Sequence, residues 1–513
     1  MIAAAPSVTQ AVDWAAIGPP VAVTLAAVAA LLVDTFRPGR RGALMAPALG
    51  GPLVALGLTA GLGLSGGAPR GTFCGPGGAL ATCSYVVDGF TVFFQLLVFA
   101  ATALIVLISP QTIHAERTPP GEYAFAVLAS AAGAATLAGS RDLMTLVVAL
   151  EVVSLPVFAL TALRRYAPHR GPAAAEAALK MFLVSVVSTA VMLFGVSLVY
   201  GATGTLFLGR MAAAAPALSG DLRPVFTAGA VLVVVGFGFK IAAVPFHFWA
   251  PDVYEGAPVP VAGYLSVVSK AAGFAGLILV LTIGFPSIAN VWGPLVAVLA
   301  AVTMTLGNLV ALRQRGAVRL LAWSSIAQSG YMLSPLGIAA GTGLLGAAVG
   351  ATTTYIAIYA AMNLGAFAVV TAVATRHGAG TLDDYRGLVR TNPASGLALG
   401  FFLLCLAGLP PGLAGLFAKI VVFRAALLGS LGWLALVIAV NTVIGLYYYL
   451  AWLFRLFATP RPAEAPGDDR RSAPPVPVPV LTGAAVALAA AAAIVLSVAP
   501  GVVMHVPPAA LGG

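Results

Sequence analysis

The sequence predicts an all-α fold, a polytopic bundle of about fourteen transmembrane helices. Composition is the first observation behind this prediction, because 60% of the 513 residues are hydrophobic and only 8% are charged. The second is that apolar segments of about 20 residues, enough to cross a bilayer, recur along the chain. Soluble domains of ordinary composition are therefore excluded.

The third observation is the distribution of arginine, which orients the bundle. Seventeen arginines fall in one set of alternate loops, whereas the other set holds only Arg70, Arg141, Arg210 and Arg223. Because basic residues accumulate in cytoplasmic loops, we expect the first set to be cytoplasmic and both termini to face outward.

The net charge of +10 is scattered over short loops rather than gathered on one face, which excludes nucleic acid as a partner.

The predicted spans follow one another with short polar loops between them. They cover 18–36, 43–65, 89–110, 121–139, 143–163, 174–200, 223–245, 257–283, 290–312, 319–340, 342–375, 395–427, 432–457 and 478–500. We expect the two longest, 342–375 and 395–427, to be broken or tilted, because each exceeds the length of a straight span. The hydrophilic stretch 461–479, rich in Pro, Asp and Arg, predicts a cytoplasmic linker before the last helix.

The chain lacks the charge pattern of a cleavable signal, since its first basic residue, Arg37, follows the first apolar run. We therefore expect the first helix to be retained.

The sequence has no phosphate-binding loop, dinucleotide fingerprint or cysteine cluster, so redox and nucleotide chemistry are expected elsewhere. Cys74 and Cys83 lie in a Gly/Pro-rich loop predicted to face outward, where they form either a disulfide or two free thiols. Cys405 is expected to pack as a small hydrophobe.

All four lysines lie inside long apolar stretches, whereas every basic residue of the evident polar loops is arginine. An ammonium in hydrocarbon costs several kcal/mol unless it finds a partner, water or a neutral state. Lysine also loses its proton readily when it is buried. Lys180, Lys240, Lys270 and Lys419 therefore predict protonatable stations within the membrane.

The buried charges differ in depth. Glu151 lies near the middle of its span and is the sole acidic residue at such depth, so it belongs either to a proton path or to a structural ion pair. Lys270 lies far inside its span, where snorkelling to an interface is hardest. Lys180 lies only a few residues inside its helix and four after Glu176, a spacing that equally favours a simple ion pair at the interface.

Two lysines adjoin predicted helix breaks. Lys240 follows two glycines and precedes Pro245, and Lys419 follows 407–412, which is rich in Gly and Pro. Interrupted helices mark ion sites in transporters, because their unpaired backbone dipoles line a cavity. The two breaks hint at an internal repeat, and the competing interpretation is that each lysine snorkels to an interface.

The stretch 245–258 joins the spans of Lys240 and Lys270. Its His247 titrates near neutral pH and predicts either proton uptake and relay or part of a packed aromatic belt. Asp252 and Glu255, three residues apart, are expected to cap the next helix.

Five motifs carry a family resemblance. They are 143–156 around Glu151, 238–240, 245–252, 323–332 and 446–450. Together they resemble the antiporter-type, proton-translocating subunits of respiratory complex I, an NADH–quinone oxidoreductase. The last two motifs resemble the N-type subunits more than the L or M types, and the similarity runs from about residue 85 to 460.

The resemblance implies roles for the buried charges. Glu151 and Lys240 would form the modulating pair, Lys270 would be the bridging residue, and Lys419 would be the terminal residue of a half-channel opening outward. N-type relatives often have histidine where this chain has Gln328, which argues against a central imidazole relay through that position.

The resemblance also implies an organisation and partners. N-terminal transmembrane helices would occupy 1–120, two antiporter-like helix groups 121–283 and 284–460, and the linker with the C-terminal transmembrane helix 461–513. The chain would translocate protons in a bacterial plasma (inner) membrane, coupled to quinone reduction elsewhere in the complex. It would hold no cofactor itself, because NADH, FMN, iron–sulfur clusters and quinone would bind partner subunits. Its partners would include M-type and small K/J/A-type membrane subunits and the lipid bilayer.

Two other functions remain open. A subunit of a multi-subunit cation/proton antiporter resembles the same fold and uses similar lysines, and a sodium requirement without redox partners encoded nearby would favour it. A non-transporting membrane scaffold would use its buried pairs only to fix packing. Lys-to-Met changes that leave transport intact would support that third function.

Overall fold

The computed structural model describes residues 12–75, 79–166, 171–338, 343–377, 380–459 and 479–504. Within these ranges the chain forms long helices and one small β-hairpin. The predicted cytoplasmic linker, apart from Pro479, and both chain termini lie outside the described residues.

The described residues up to Ala214 form the hairpin and seven α-helices. The elements are α1 Trp14–Phe36, α2 Arg41–Leu64, β1 Arg70–Cys74, β2 Cys83–Val87, α3 Gly89–Ala115, α4 Pro120–Gly139, α5 Leu143–Ala162, α6 Gly171–Thr203 and α7 Leu208–Ala214. Asp13, Asp88 and Asp142 precede α1, α3 and α5, and each side chain accepts a hydrogen bond from the first turn. These carboxylates satisfy free backbone N–H groups and so fix where the three helices begin.

The remaining helices include short and interrupted ones. They are α8 Leu222–Lys240, α9 Trp249–Gly256, α10 Val259–Tyr264, α11 Lys270–Leu279, α12 Ala289–Ala311, α13 Ala317–Ile338, α14 Leu345–His377, α15 Leu388–Thr391, α16 Pro393–Ala407, α17 Leu413–Leu428, α18 Gly432–Phe457, α19 Val480–Val498 and α20 Gly501–Met504. Two π-helical turns, Leu265–Ser269 and Val280–Gly284, flank α11. Such turns are frequent at functional sites.

The all-α transmembrane bundle is confirmed. Among the described residues, 12 helical spans are long and apolar enough to cross a membrane, and they correspond to all but two of the predicted spans. The other two predicted spans are α13, whose middle carries hydroxyl and amide side chains, and 395–427, which is the pair α16 and α17. Cys405 is buried in α16, as expected.

Both predicted helix breaks are present. At the first break α8 ends at Lys240, and the next helix, α9, begins only at Trp249. At the other break α16 ends at Ala407, Gly408 adopts a left-handed φ of +83°, and α17 begins at Leu413. Glycine tolerates that conformation because it has no Cβ. By contrast α14 is continuous over 33 residues, so only one of the two longest predicted spans is broken.

Glycine lets α12 and α13 pack with their backbones close together. A Cβ at Gly330 would lie 2.5 Å from the Met304 nitrogen, and one at Gly307 would lie 2.5 Å from the Ala327 nitrogen. Small residues allow such approaches between membrane helices, whose association depends on close packing. This contact fixes the position of α13, which carries several side chains of the candidate site.

The hairpin binds helix ends on the side predicted to face outward. Its strands pair antiparallel and carry a disulfide between Cys74 and Cys83, so the bridge is present rather than two thiols. Arg141, before α5, forms a buried ion pair with Asp88 at 2.7 Å, and its backbone N–H donates to the Ser84 carbonyl. The start of α5 is thereby joined to β2 and to the start of α3.

Candidate functional site

Glu151 is held on α5 by a hydroxyl group of the neighbouring helix. Thr189 Oγ1 on α6 donates to Glu151 Oε1 at 2.5 Å. The start of α5 is fixed by Asp142, which accepts from the Thr145 N–H at 2.8 Å. The Glu151 side chain is partly buried, and a neutral partner orients it within the span.

Lys240 is the last residue of α8, and only 3% of its surface is exposed. Its Nζ donates to Ser154 Oγ on α5 at 2.9 Å. Ser154 lies one turn after Glu151 on the same helix, and the Glu151 carboxylate attracts the Lys240 ammonium electrostatically. Ser154 donates its own proton to the Leu150 carbonyl, so in the described part of the chain Lys240 is bonded to the helix of Glu151 but forms no direct ion pair with that carboxylate.

Lys270 begins α11 directly after a π-helical turn and is buried. Its Nζ donates to the Ser325 carbonyl at 2.5 Å, to Ser325 Oγ at 2.6 Å and to Ser329 Oγ at 2.7 Å, all on α13. A lysine ammonium has three N–H donors. All three therefore have acceptors, and every acceptor is uncharged.

Ser329 connects Lys270 to the end of α8. Its hydroxyl accepts from Lys270 and donates to the carbonyl of Ile241, the residue after Lys240, at 2.7 Å. The next turn of α11 passes the Lys240 side chain closely, since a Cβ at Gly273 would lie 3.0 Å from Lys240 Cγ. The structure thus brings Lys240 and Lys270 together around the first helix break.

Lys419 lies on α17 beside the second helix break. Its Nζ donates to the carbonyls of Leu406 and Ala407 at 3.2 and 2.6 Å, and 7% of the residue is exposed. The last carbonyls of a helix lack partners within that helix and carry partial negative charge. The break in the chain therefore creates the acceptors that hold this lysine.

Lys180 lies in a cluster of charges apart from the other three lysines. Its Nζ contacts Glu176 at 2.6 Å and Asp252 at 2.9 Å, and its side chain is 46% exposed. The predicted i,i+4 ion pair is confirmed. This lysine, unlike the three buried ones, has two carboxylates as its partners.

Asp252 and Glu255 do not cap the next helix, so that prediction is wrong. Both lie inside α9 and bind Arg319 of α13 at 3.1 and 2.7 Å, while α10 begins at Val259 without a side-chain cap. Cations attract carboxylates more strongly than neutral N–H groups do. Burial alone would raise the pKa of Asp252, but Lys180 and Arg319 hold it below its ordinary value.

His247 lies in the segment between α8 and α9 and is half-buried. Its ring packs at 5.4 Å between centroids against Trp323 of α13 and at 5.8 Å against Phe248. These contacts agree with the alternative in which His247 is part of a packed aromatic belt. The role of His247 in proton uptake or relay stays a prediction.

Gln328 is buried between two tyrosines. Its amide oxygen accepts from the Tyr355 hydroxyl at 2.5 Å, and its amide nitrogen donates to the Tyr449 oxygen at 3.3 Å. A carboxamide has donors and acceptors but no titratable group in the physiological range. This position of α13 therefore supplies polar contacts without an imidazole.

The sequence interpretation missed the hydroxyl groups that hold the charges: Ser154, Thr189, Ser325 and Ser329. A signal was available on α13, where the two serines stand four residues apart and so share one helix face. The other two gave no signal, because a single Ser or Thr in a membrane helix commonly bonds to a carbonyl of its own helix.

Residues 140–445 match the family described as NADH:quinone oxidoreductase/Mrp antiporter, TM. This range contains Glu151 and all four lysines. The chain belongs to this family. The resemblance inferred from the five sequence motifs is thereby confirmed for the antiporter-type family.

Relatives within this antiporter-type family are similar to the chain over most of its length. NADH-quinone oxidoreductase subunit N 2 of Streptomyces griseus subsp. griseus is 52% identical, over 98% of this chain and 95% of that protein. NADH-quinone oxidoreductase subunit N of Salinispora tropica is 45% identical, over 90% of this chain and 88% of that protein.

Solved structures share the fold. A chain of respiratory complex I from Thermus thermophilus with bound aureothin is 33% identical with a TM-score of 0.76, and the match covers 96% of this chain and all of that one. A chain of the Mrp complex from a Dietzia species is 20% identical with a TM-score of 0.81 over 96% of both chains, a likeness that concerns the fold alone.

Proposed function

We propose that this chain is a proton-translocating membrane subunit of an NADH–quinone oxidoreductase. The observation that carries the proposal is that Lys240, Lys270 and Lys419 are all buried and all bonded to uncharged oxygens, with Glu151 next to the first of them. The names of the relatives and of the Thermus thermophilus structure support the redox complex as its setting.

The arrangement explains how a proton is held and released. Glu151 attracts a proton on Lys240, and Ser154 fixes the Lys240 amine beside α5. Neutral acceptors leave the ammonium without a directly bonded counter-charge, so each lysine can lose its proton without leaving an unpaired anion in contact with it. A movement of α5 relative to α8 would weaken the attraction between Glu151 and the protonated Lys240. Lys240 would then release its proton toward Lys270, and the proton would pass on to Lys419.

The setting of the chain belongs to the same proposal. The partners are M-type and small K/J/A-type membrane subunits in a bacterial plasma membrane, with both termini on the outer side. NADH, FMN, iron–sulfur clusters and quinone bind to partner subunits of the complex. Redox energy reaches this chain as a conformational or charge change at its interfaces.

Substitution of the modulating pair in the assembled complex tests the proposal. We expect Glu151→Ala and Lys240→Ala each to abolish most NADH-driven proton pumping in membrane vesicles while the complex is present at wild-type level. Immunoblotting of the complex provides the control for assembly. Unimpaired pumping in both variants would exclude the proposed function.

The rival function is a subunit of a multi-subunit cation/proton antiporter, favoured by the family description and by the fold shared with the Mrp complex. A transport assay in vesicles distinguishes the two functions. Proton movement that requires NADH and not sodium supports the redox complex. Proton movement driven by a sodium gradient without NADH supports the antiporter.

A further inference from the structure

The helix α19, far along the chain from the second helix break, provides a hydroxyl group to that break. Ser497 lies on α19 and is 8% exposed, and its Oγ accepts from the backbone N–H of Ala414 at 2.9 Å. The same hydroxyl donates its proton to the carbonyl of Ala493, one turn earlier on α19, at 2.8 Å. Ser497 therefore connects α19 to the first turn of α17.

The first turn of α17 has no cap from the residue that precedes it. The first N–H groups of a helix lack partners inside that helix, and a short polar side chain just before the helix commonly accepts from one of them. In α17 this position is Gly412, which has no side chain to do so. Because an unpaired N–H group inside a membrane is costly, Ser497 supplies from another helix the acceptor that the chain lacks locally.

The same end of α17 contacts the helix end that holds Lys419. A Cβ at Gly415 would overlap the carbonyl oxygen of Cys405, so α17 begins directly against the last turn of α16. In that last turn the carbonyls of Leu406 and Ala407 accept from Lys419. Lys419 lies one turn after Gly415 on α17, and a displacement at the start of α17 would therefore move the lysine relative to its two acceptors.

The first helix break has a comparable contact. The backbone N–H of Val244, between α8 and α9, donates to Thr303 Oγ1 of α12 at 3.0 Å, and Thr303 is fully buried. At both breaks a hydroxyl from a helix outside the interrupted pair therefore accepts from a backbone N–H near the interruption. Such groups need a partner wherever a helix is broken inside a membrane.

We propose that Ser497 is a positioning residue for Lys419. Its hydroxyl holds the start of α17 against the end of α16 and so keeps the lysine amine within reach of the two carbonyls that accept from it. Ser497 exchanges no proton with Lys419 and acts through the backbone of α17 alone. Without this bond the Ala414 N–H must find another partner, the first turn of α17 shifts, and the amine is misplaced for proton transfer. This inference rests on the proposed function.

Substitutions of hydroxyl groups in the assembled complex test this role. Ser497→Ala removes the acceptor, whereas Ser497→Thr retains a hydroxyl on the same helix. Thr354→Val is the matched control, because the Thr354 hydroxyl of α14 donates to the carbonyl of Val503 at 3.2 Å and so attaches the same end of the chain by a bond that does not involve α17. Protons pumped per electron are measured in membrane vesicles at equal amounts of assembled complex, with Lys419→Met in parallel.

We expect Ser497→Ala to show at least about half of the loss in proton-to-electron ratio that Lys419→Met shows, because a group held out of its productive geometry transfers protons slowly. Ser497→Thr and Thr354→Val should keep the wild-type ratio. A residue that served packing alone would change the amount of complex and leave the ratio unchanged. If Ser497→Ala yields too little complex to assay, Ser497→Cys takes its place with the same expectation, since a thiol accepts hydrogen bonds only weakly.

The parallel variants separate this inference from the proposed function. A wild-type ratio after loss of the Ser497 hydroxyl, together with a low ratio in Lys419→Met, overturns the positioning role and leaves the function standing. The positioning role is also overturned if Ser497→Thr or Thr354→Val loses as many protons as Ser497→Ala, because the loss would then not depend on the bond to Ala414. A wild-type ratio in Lys419→Met overturns both.

Discussion

At the scale of single residues, each buried lysine is bonded to uncharged oxygens, whereas the exposed lysine is bonded to carboxylates. The sequence predicted the lysines themselves, because an ammonium inside an apolar run is visible without a structure. It did not predict their acceptors, since backbone carbonyls and isolated hydroxyls occur in every membrane helix. The three buried lysines are therefore suited to release a proton, whereas the exposed lysine is suited to hold helices together.

Replacement by arginine distinguishes these two roles. Arginine keeps the positive charge but does not release its proton at physiological pH. We expect Lys240→Arg to lower NADH-driven proton pumping about tenfold, and Lys180→Arg to stay near the wild-type rate because its ion pairs persist. Pumping per assembled complex in inverted vesicles is the measurement. Equal loss in both variants would contradict this division of the lysines.

The charge cluster of Asp252 predicts a pH-dependent contribution to stability. Its pKa is lowered in the folded chain, so its stabilising contribution is present above the ordinary carboxyl pKa of about 3.9 and is lost as the pH falls through the lower folded-state value. We therefore expect Asp252→Asn to lower the thermal unfolding temperature of the detergent-purified complex at pH 7 and to have less effect toward pH 3. If the difference in unfolding temperature between Asp252→Asn and wild type stayed the same from pH 7 to pH 3, the ionised Asp252 would not stabilise the fold as described.

At the scale of helices, the two breaks were predictable and the importance of α13 was not. Glycine and proline mark the breaks near Lys240 and Lys419 in the sequence, because neither residue suits a helix interior. The motif 323–332 marked α13 in the sequence without assigning it contacts, and only the structure shows that its serines bind Lys270 and that Gly330 brings it against α12. Interhelical contacts of this kind depend on the relative rotation of helices, which a single sequence does not encode in a visible pattern.

The α12–α13 contact gives a prediction at this scale. Gly330→Ala would place its Cβ within 2.5 Å of the α12 backbone, and such overpacking costs about 1–3 kcal/mol. We expect a reduced amount of assembled complex on native gels. The matched control is Gly350→Ala on α14, because a Cβ there meets nothing within 4 Å. If the two variants assemble equally well, α12 and α13 do not pack as described.

At the scale of the whole molecule, the orientation derived from arginine agrees with the position of the disulfide. The Cys74–Cys83 bridge lies in the loop predicted to face outward, and disulfides persist on the oxidising side of a bacterial membrane. The division into helix groups 121–283 and 284–460 stays a prediction, as does the outward position of both termini. The sequence could indicate the side of each loop from its charges, but it left open whether the two thiols were joined.

Labelling tests the orientation of the whole bundle. In intact cells we expect a membrane-impermeant maleimide to modify the Cys74/Cys83 pair only after treatment with an impermeant reductant. Cys405 is buried and should stay unmodified in both samples. If the pair were labelled in inverted vesicles but not in intact cells, the orientation of the bundle would be the opposite of the one predicted.

If protons pass through this chain by way of its buried lysines, removing the Lys270 amine must lower the number of protons pumped per electron, which is measured for Lys270→Met in reconstituted proteoliposomes. Methionine keeps most of the side-chain volume and removes the group that carries the proton. We predict a ratio clearly below that of the wild-type complex, at an equal amount of assembled complex. An unchanged ratio would show that protons do not pass through Lys270 and that the buried lysines are not the proton path.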